Sequence, residues 1–384
     1  MRYDYCLVAV VLLLTLLGLV TLYSASYLFA LNQPDRFDNG LTPITSNLIA
    51  IGIMVVFFPI LATIRLDLFN NGRAIFFLVV IAFVMNVLPF FPIFQRVSHR
   101  QGIDAARWIV IKGTSLPSFQ PSELIKVVLP LYLAYMLNKN KDRLGSFSYG
   151  PLPSAILTSF FCFLVLWQSN FSEAVIIAAS SFIICFVSGI RLHWFGIALV
   201  ILAIASVFLI YGDREGRWYN RMANFGQQRL DPTDTGYQIT LSEEAIKSGG
   251  FWGKGIGQGT VKTRMPEVHG DFVFASYVEE SGFLGVMLYL FLVGIYGFIG
   301  YFVACRSRDF FTQLLAFGLV TPVIIQTLMN VAVVADIIPT TGVPLPFVSS
   351  GGSSLLMTLI SAALLVNVTR RHIVSEEGEG LYAR

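Results

Sequence analysis

Charge is what this 384-residue sequence has least of: 13% of its residues are Asp, Glu, Lys or Arg, against 55% that are hydrophobic. A soluble domain carries roughly 25% charged residues to cover its surface, so two or three soluble domains are excluded. Most of this chain must take lipid as its solvent. Disorder is excluded as well, because 14% aromatic residues is far too many for a segment that never buries apolar surface. Cysteine is scarce, and Cys6, Cys162, Cys185 and Cys305 sit singly in or beside apolar runs, without metal-ligand spacing or a disulfide pattern. Basic residues are scattered and the net charge is only +3, so a nucleic-acid groove is missing and no nucleic-acid partner is expected. No internal repeat or hydropathy symmetry marks the paired halves of a transporter.

What the sequence does have is long apolar runs. A helix needs about 20 mostly apolar residues to cross the hydrocarbon core. Ten candidates lie near 6–28, 45–64, 74–94, 121–138, 152–168, 173–190, 192–211, 272–303, 310–335 and 350–369. The expected fold is therefore an all-α polytopic membrane protein of about ten transmembrane helices, a single membrane domain over 1–384. The first span is too long in its apolar core for a cleaved signal peptide and is expected to be retained. Short loops rich in Lys and Arg mark the cytoplasmic side. One alternate set holds Arg2, Arg65, Arg73, Lys139, Lys141, Arg143, Arg191, Arg306, Arg308, Arg370 and Arg371. Both termini then read as cytoplasmic, with a tail at 370–384 and a large extracytoplasmic loop at 212–270, between spans seven and eight.

That loop gathers the polar chemistry. Gln238–Ser248 reads as a short helix with Ile239, Leu241, Ala245 and Ile246 on its apolar side, suited to lying on the outer leaflet. The run Gly253-Lys254-Gly255-Ile256-Gly257-Gln258-Gly259 lacks the βαβ context of a nucleotide fingerprint. It is either a backbone cradle for a lipid pyrophosphate or a plain turn. Pro266 suits a first helical position, and a helix from there would put Glu267 and Asp271 on one face. Two readings of those acids stay open: simple favour for a helix N-terminus, or a functional carboxylate at the membrane's outer edge with cations and His269 nearby. Glu279 and Glu280 lie deeper, where acids are usually paired or functional. Glu123 and Lys126, three residues apart at the start of the fourth span, suggest a structural ion pair more than a substrate contact. Pro339 to Ser354 is an irregular segment feeding a helix, tolerated at membrane depth only where protein buries it or a cavity meets it.

Taken in order, these segments resemble one family. Tyr23-Ser24-Ala25-Ser26, Arg107-Trp108-Ile109, Gln120-Pro121-Ser122-Glu123-Leu124-Ile125-Lys126 and Tyr219-Asn220-Arg221 carry the resemblance. So do Gly253-Lys254-Gly255-Ile256-Gly257, Pro266-Glu267-Val268-His269-Gly270-Asp271-Phe272, Glu279-Glu280-Ser281-Gly282, Asn330 and Pro344-Leu345-Pro346-Phe347. The chain is similar, nearly end to end, to the FtsW, RodA and SpoVE family of shape, elongation, division and sporulation proteins. Two departures stand out. The family's Gln-Pro-Asp-x-Gly-Thr is Gln168-Ser169-Asn170-Phe171-Ser172-Glu173 here, so an acid is missing at Asn170 and another returns at Glu173. Ser349-Ser350 also stands where the family usually has tyrosine before paired glycines.

The resemblance implies a bacterial plasma-membrane glycosyltransferase that polymerises lipid II into peptidoglycan glycan strands on the outer face. Undecaprenyl pyrophosphate would leave with inversion at the sugar. It implies Asp271 as the catalytic base. Lys126, Arg221, Lys262 and Arg264 are expected to face the anionic substrate, with Glu123, Arg107, Glu267 and His269 as further contacts. The expected partners are a class B penicillin-binding transpeptidase and other divisome or elongasome membrane proteins. No organic cofactor is expected, and no protein metal site; Mg²⁺ or Mn²⁺ could be shared with the substrate pyrophosphate. The opening helix favours the division branch over the elongation branch. A flippase that moves lipid II without chemistry is the alternative of a different class.

Overall fold

A computed structural model of the chain describes residues 3–32, 42–91, 107–109, 118–191, 193–194, 197, 200, 235–265 and 268–382. Among these residues the architecture is helical: α1 Tyr3–Asn32, α2 Thr42–Leu61, α3 Gly72–Val87, α4 Pro121–Lys139, α5 Pro151–Trp167, α6 Phe171–Val187, α7 Thr235–Gly249, α8 Val273–Arg306, α9 Phe310–Val334 and α10 Gly352–Tyr382. Six of them (α1, α2, α3, α8, α9 and the Gly352–Arg371 part of α10) are long and apolar enough to span a bilayer, while α5 and α6 are apolar but shorter. The chain is thus an all-α polytopic membrane protein. Charged residues at its start lower the apolar average of α4, although that helix is almost entirely buried. The seventh expected span, 192–211, falls mostly outside the described residues, and 212–234 of the large loop lies outside them as well. The 370–384 tail begins as a continuation of α10, which stays helical to Tyr382.

The helices sort by surface. On α2 and α3 many large apolar side chains are exposed, among them Val55, Val56, Phe76 and Phe77, as a lipid-facing wall requires. By contrast α9 and α10 are mostly buried. Helix α9 packs on α8, α4 and α6, and α10 on α2, so α9 forms the central post of one half of the bundle. At one end, Asn367 of α10 donates to the carbonyls of Leu61 (2.8 Å) and Ile64 (2.7 Å), closing the C-terminal end of α2. Beside it Arg371 forks onto Asp67 at 2.9 and 3.2 Å. That hydrogen-bonded guanidinium holds the Asp67 carboxyl below its ordinary range.

The main irregularity lies in α8. Gly282 sits at φ 65°, ψ −164°, and the helix breaks there. A break strands backbone groups, and a bilayer cannot satisfy them. Residues 250–255 do so instead. The amides of Lys254 and Gly255 donate to the carbonyls of Glu279 (3.0 Å) and Glu280 (2.9 Å). The amides of Phe283 and Leu284 donate to those of Gly250 (2.9 Å) and Phe251 (3.2 Å). The glycine run is therefore a backbone insert into a broken helix, and the amides of Lys254 and Gly255 are not available to a pyrophosphate. Helix α7 corrects a second expectation. Ile239, Leu241 and Ala245 are buried and α7 packs on α8, with Ser242 bonded to the Val334 carbonyl at 2.9 Å. Its apolar side meets protein rather than the leaflet, because the insert that follows ties it down.

Close approach explains the glycines at this junction. A Cβ on Gly253 (φ +79°) would lie 2.2 Å from the Glu280 carbonyl oxygen, and one on Gly282 would lie 2.3 Å from the Gly253 nitrogen. Gly253→Ala or Gly282→Ala should therefore destabilise the protein by at least about 1–3 kcal/mol from backbone conformation alone. Gly294→Ala, on the same helix with nothing within 4 Å of the new methyl, should be neutral or stabilising. Thermal unfolding in detergent measures all three. Equal midpoints for Gly253→Ala and Gly294→Ala would show that the insert is not held as described.

Candidate active site

Asp271 lies on a turn. The helix expected from Pro266 begins instead at Val273, since 268–272 are turns capped by Phe272. Pro266 and Glu267 lie outside the described residues. The turn is stitched to the irregular segment before α10. Ser350 N donates to the His269 carbonyl (2.8 Å), and Ser349 Oγ to the Gly270 carbonyl (2.9 Å). Asn330 Nδ2, from α9, donates both to the Asp271 carbonyl (2.8 Å) and to the Val343 carbonyl (2.7 Å). The Asp271 carboxylate is half-buried against Gly342, where an added Cβ would stand 3.3 Å from Oδ2. Asn47 secures the far side of the segment, donating to Ser349 O at 3.0 Å and accepting from Gly351 N at 3.2 Å. The backbone of the turn that carries this carboxylate is thus fixed from α9 and from the segment before α10.

Below it, one turn along α9, Gln326 donates to the Pro344 carbonyl at 2.8 Å and accepts from Lys126 Nζ at 2.9 Å. Lys126 also meets Glu123 at 2.7 Å and Glu173 at 3.3 Å, all three buried. An ammonium has three donors, and these partners occupy all of them. Glu173, in the first turn of α6, thus supplies the second carboxylate of the cluster. A gap of about 10 Å³, room for little more than a water molecule, adjoins the cluster, bounded partly by Lys126, Ser180 and Ser181. It falls below the volume of ordinary ligand pockets. Glu123 and Lys126 therefore form a buried polar lock that joins α4, α6 and α9, with Ser172 extending it by bonding the Thr341 carbonyl at 2.8 Å.

A second lock closes the loop against α1. Lys262 is fully buried, and its ammonium reaches Glu280, Ser24 Oγ (2.6 Å) and the Ser24 carbonyl (3.1 Å). Its three donors are likewise taken inside the protein. Glu279 accepts from Lys254 Nζ (2.7 Å) and from the amides of Thr260 (2.8 Å) and Val261 (3.0 Å). Glu279 and Glu280, expected at their depth to be paired or functional, are both paired.

The remaining expected contacts lie apart from these. Arg107 donates to the Gln168 carbonyl (3.2 Å) and to the Ser169 carbonyl, clasping the turn between α5 and α6. Arg264 is about half exposed and paired with Glu244 of α7, whose carboxylate raises the guanidinium pKa above its ordinary value. Arg221 lies outside the described residues. Sequence reasoning missed Gln326 as a connector and gave Asn330 no task. Their four-residue spacing on α9 was the available signal.

Removing Lys126 should be costly, because it would leave two buried carboxylates facing each other. Lys126→Met is expected to cost about 3–5 kcal/mol, and the triple variant Glu123→Gln/Lys126→Met/Glu173→Gln should recover most of it. An unfolding midpoint for Lys126→Met equal to that of the parent would dismiss the lock.

Known proteins are similar to this chain in sequence and in fold. The cell cycle protein family FtsW/RodA/SpoVE matches residues 4–373. The chain is 33% identical over 368 residues to the probable peptidoglycan glycosyltransferase FtsW of Borreliella burgdorferi, covering 95% of this chain and 96% of that one. It is 30% identical over 370 residues to the stage V sporulation protein E of Bacillus subtilis, covering 96% and 97%. A chain of a peptidoglycan synthase complex that coordinates polymerization and crosslinking superposes with a TM-score of 0.72 at 25% identity, covering 97% of this chain and 99% of that one. The rod shape determining protein RodA of Thermus thermophilus shares the fold, with a TM-score of 0.65 at 23% identity over 97% and 98% of the two chains. With its helical bundle, its apolar spans and a match over nearly its whole length, this chain is a multi-pass bacterial membrane protein and belongs to the FtsW/RodA/SpoVE family.

Proposed function

We propose that this protein is a peptidoglycan glycosyltransferase that polymerises lipid II, with Asp271 as general base. The carrying observation is a half-buried carboxylate on a turn whose backbone is bonded from α9 and from the segment before α10. The acceptor hydroxyl attacks the anomeric carbon of the donor sugar. Its proton passes to an Asp271 oxygen, the new glycosidic bond forms, and the carbon–oxygen bond to undecaprenyl pyrophosphate breaks with its electron pair. Attack from the face opposite the leaving group inverts the centre. Proton removal of this kind is worth about 10²–10⁴ in rate. The departing pyrophosphate needs positive charge. With Lys126 and Lys262 committed to internal carboxylates, Arg264 is the expected contact that keeps an exposed guanidinium, with Arg221 a further candidate.

Mg²⁺ or Mn²⁺ remains a proposal tied to the substrate. Among the described residues no three Asp, Glu, His or Cys side chains converge to hold a metal. The relatives named FtsW support septal synthesis as the setting. The likeness to a peptidoglycan synthase complex supports a penicillin-binding transpeptidase as partner, of class B by family resemblance.

A purified-protein assay with lipid II and the partner transpeptidase tests the reading. Asp271→Asn should lower polymerisation by about 10²–10⁴-fold with folding and partner binding intact. Polymerisation at the parent rate would remove Asp271 from the chemistry. Movement of lipid II across vesicles without glycan formation would favour a flippase instead. Depletion in cells separates the branches, since filaments without septa indicate division and rounded cells that still divide indicate elongation.

A further inference from the structure

The base proposed above sits on a turn, and its position is set by something else. Asn330 Nδ2 is within 2.8 Å of the Asp271 carbonyl and 2.7 Å of the Val343 carbonyl, so one amide group ties the acid's backbone to the opposing segment. Val343 follows Gly342, whose α-carbon faces Asp271 Oδ2 closely enough that a methyl there would lie 3.3 Å away. The two carbonyls joined by Asn330 therefore fix the two walls of the acid's site relative to each other. Asn330 is 1% exposed and sits on the buried face of α9. One turn away, Gln326 bonds the next carbonyl of the same segment, Pro344, at 2.8 Å and anchors it to Lys126 at 2.9 Å. The segment is thus hung on α9 through Asn330 and Gln326, and the Asn330 point also holds Asp271.

We propose that Asn330 is a positioning residue for the glycosyl transfer, setting the distance between the Asp271 carboxylate and the Gly342 wall through its paired hydrogen bonds. Its buried side chain acts through the two backbone carbonyls to which it donates. The inference rests on the reading of Asp271 as base. Two neutral hydrogen bonds to backbone carbonyls are modest contributors to stability. Misplacing a reacting group by about 1 Å, in contrast, can cost on the order of 10²-fold in rate. The two effects separate in an experiment.

The test compares the parent, Asn330→Ala, Asn330→Asp and Asp271→Asn, each full length, purified with the partner transpeptidase and assayed on lipid II. Aspartate matches asparagine in volume but, when ionised, cannot donate to either carbonyl. Both Asn330 variants are expected to lose about 10- to 100-fold in kcat while KM for lipid II stays within about twofold, as for an interaction used in the transition state. Residual activity should stay above that of Asp271→Asn. If Asp271→Asn is inactive while Asn330→Ala and Asn330→Asp keep the parent kcat, the positioning role is overturned and the base assignment stands. If Asp271→Asn itself polymerises at the parent rate, the base assignment fails first. A merely structural role would lower yield and unfolding midpoint and leave kcat per folded molecule unchanged, which also overturns the proposal. Should Asn330→Ala give no monodisperse protein, the volume-matched Asn330→Asp decides by the same criterion.

Discussion

A bilayer offers no hydrogen bonds, so every backbone group released from a helix must be met by another part of the chain. Much of this structure follows from that constraint. Gly282 breaks α8, and residues 250–255 enter the break because the freed groups of residues 279–284 have no other partner. The segment before α10 is non-helical over many residues, and its carbonyls at 341, 343 and 344 each find a side chain: Ser172, Asn330 and Gln326. Those side chains come from α6 and α9, which is why these helices are fixed against the segment. These two irregular regions are thus cross-linked to the helices around them, and they can carry a site.

Charge follows the same logic at higher stakes. Breaking a buried ion pair is costly because it strands the remaining charge. Both buried lysines meet three acceptors, the full capacity of an ammonium. The Lys126 cluster gathers α4, α6 and α9, and the Lys262 cluster gathers α1, α8 and the loop. Neither is well described as a surface offered to substrate. Each specifies which helices must be neighbours, since any other arrangement would leave a carboxylate or ammonium in lipid.

The sequence made much of this legible. Nine of the ten expected spans correspond to helices within a few residues at most ends, because a lipid-facing run of about 20 residues has few alternatives. The family was readable from short motifs spread along the chain. What stayed hidden depended on long-range pairing. Gln238–Ser248 has a real apolar side, but nothing local says whether lipid or α8 will cover it. The glycine run looks like an anion cradle until the break at Gly282 supplies carbonyls for its amides. Pro266 signals a helix start, yet the turn at 268–272 is pinned by Ser349 and Ser350, some 80 residues away. Glu123 and Lys126 were seen as a pair, but Glu173 and Gln326 complete the set from other helices.

Asn170 shows how such a network absorbs a change that a motif cannot explain. By resemblance the position should carry an acid, and the chain has an amide there. Asn170 is the N-terminal cap residue of α6, and Glu173 lies in the first turn of the same helix. Moving a carboxylate by three residues along a helix shifts it about 4.5 Å along the axis and nearly one turn around it, which keeps it on the same side. A Glu side chain is one methylene longer than Asp and can recover part of that offset. Glu173 reaches Lys126 at 3.3 Å, so the cluster keeps two carboxylates around one ammonium. The start of α6 thus delivers, through Glu173, a negative charge within reach of Lys126.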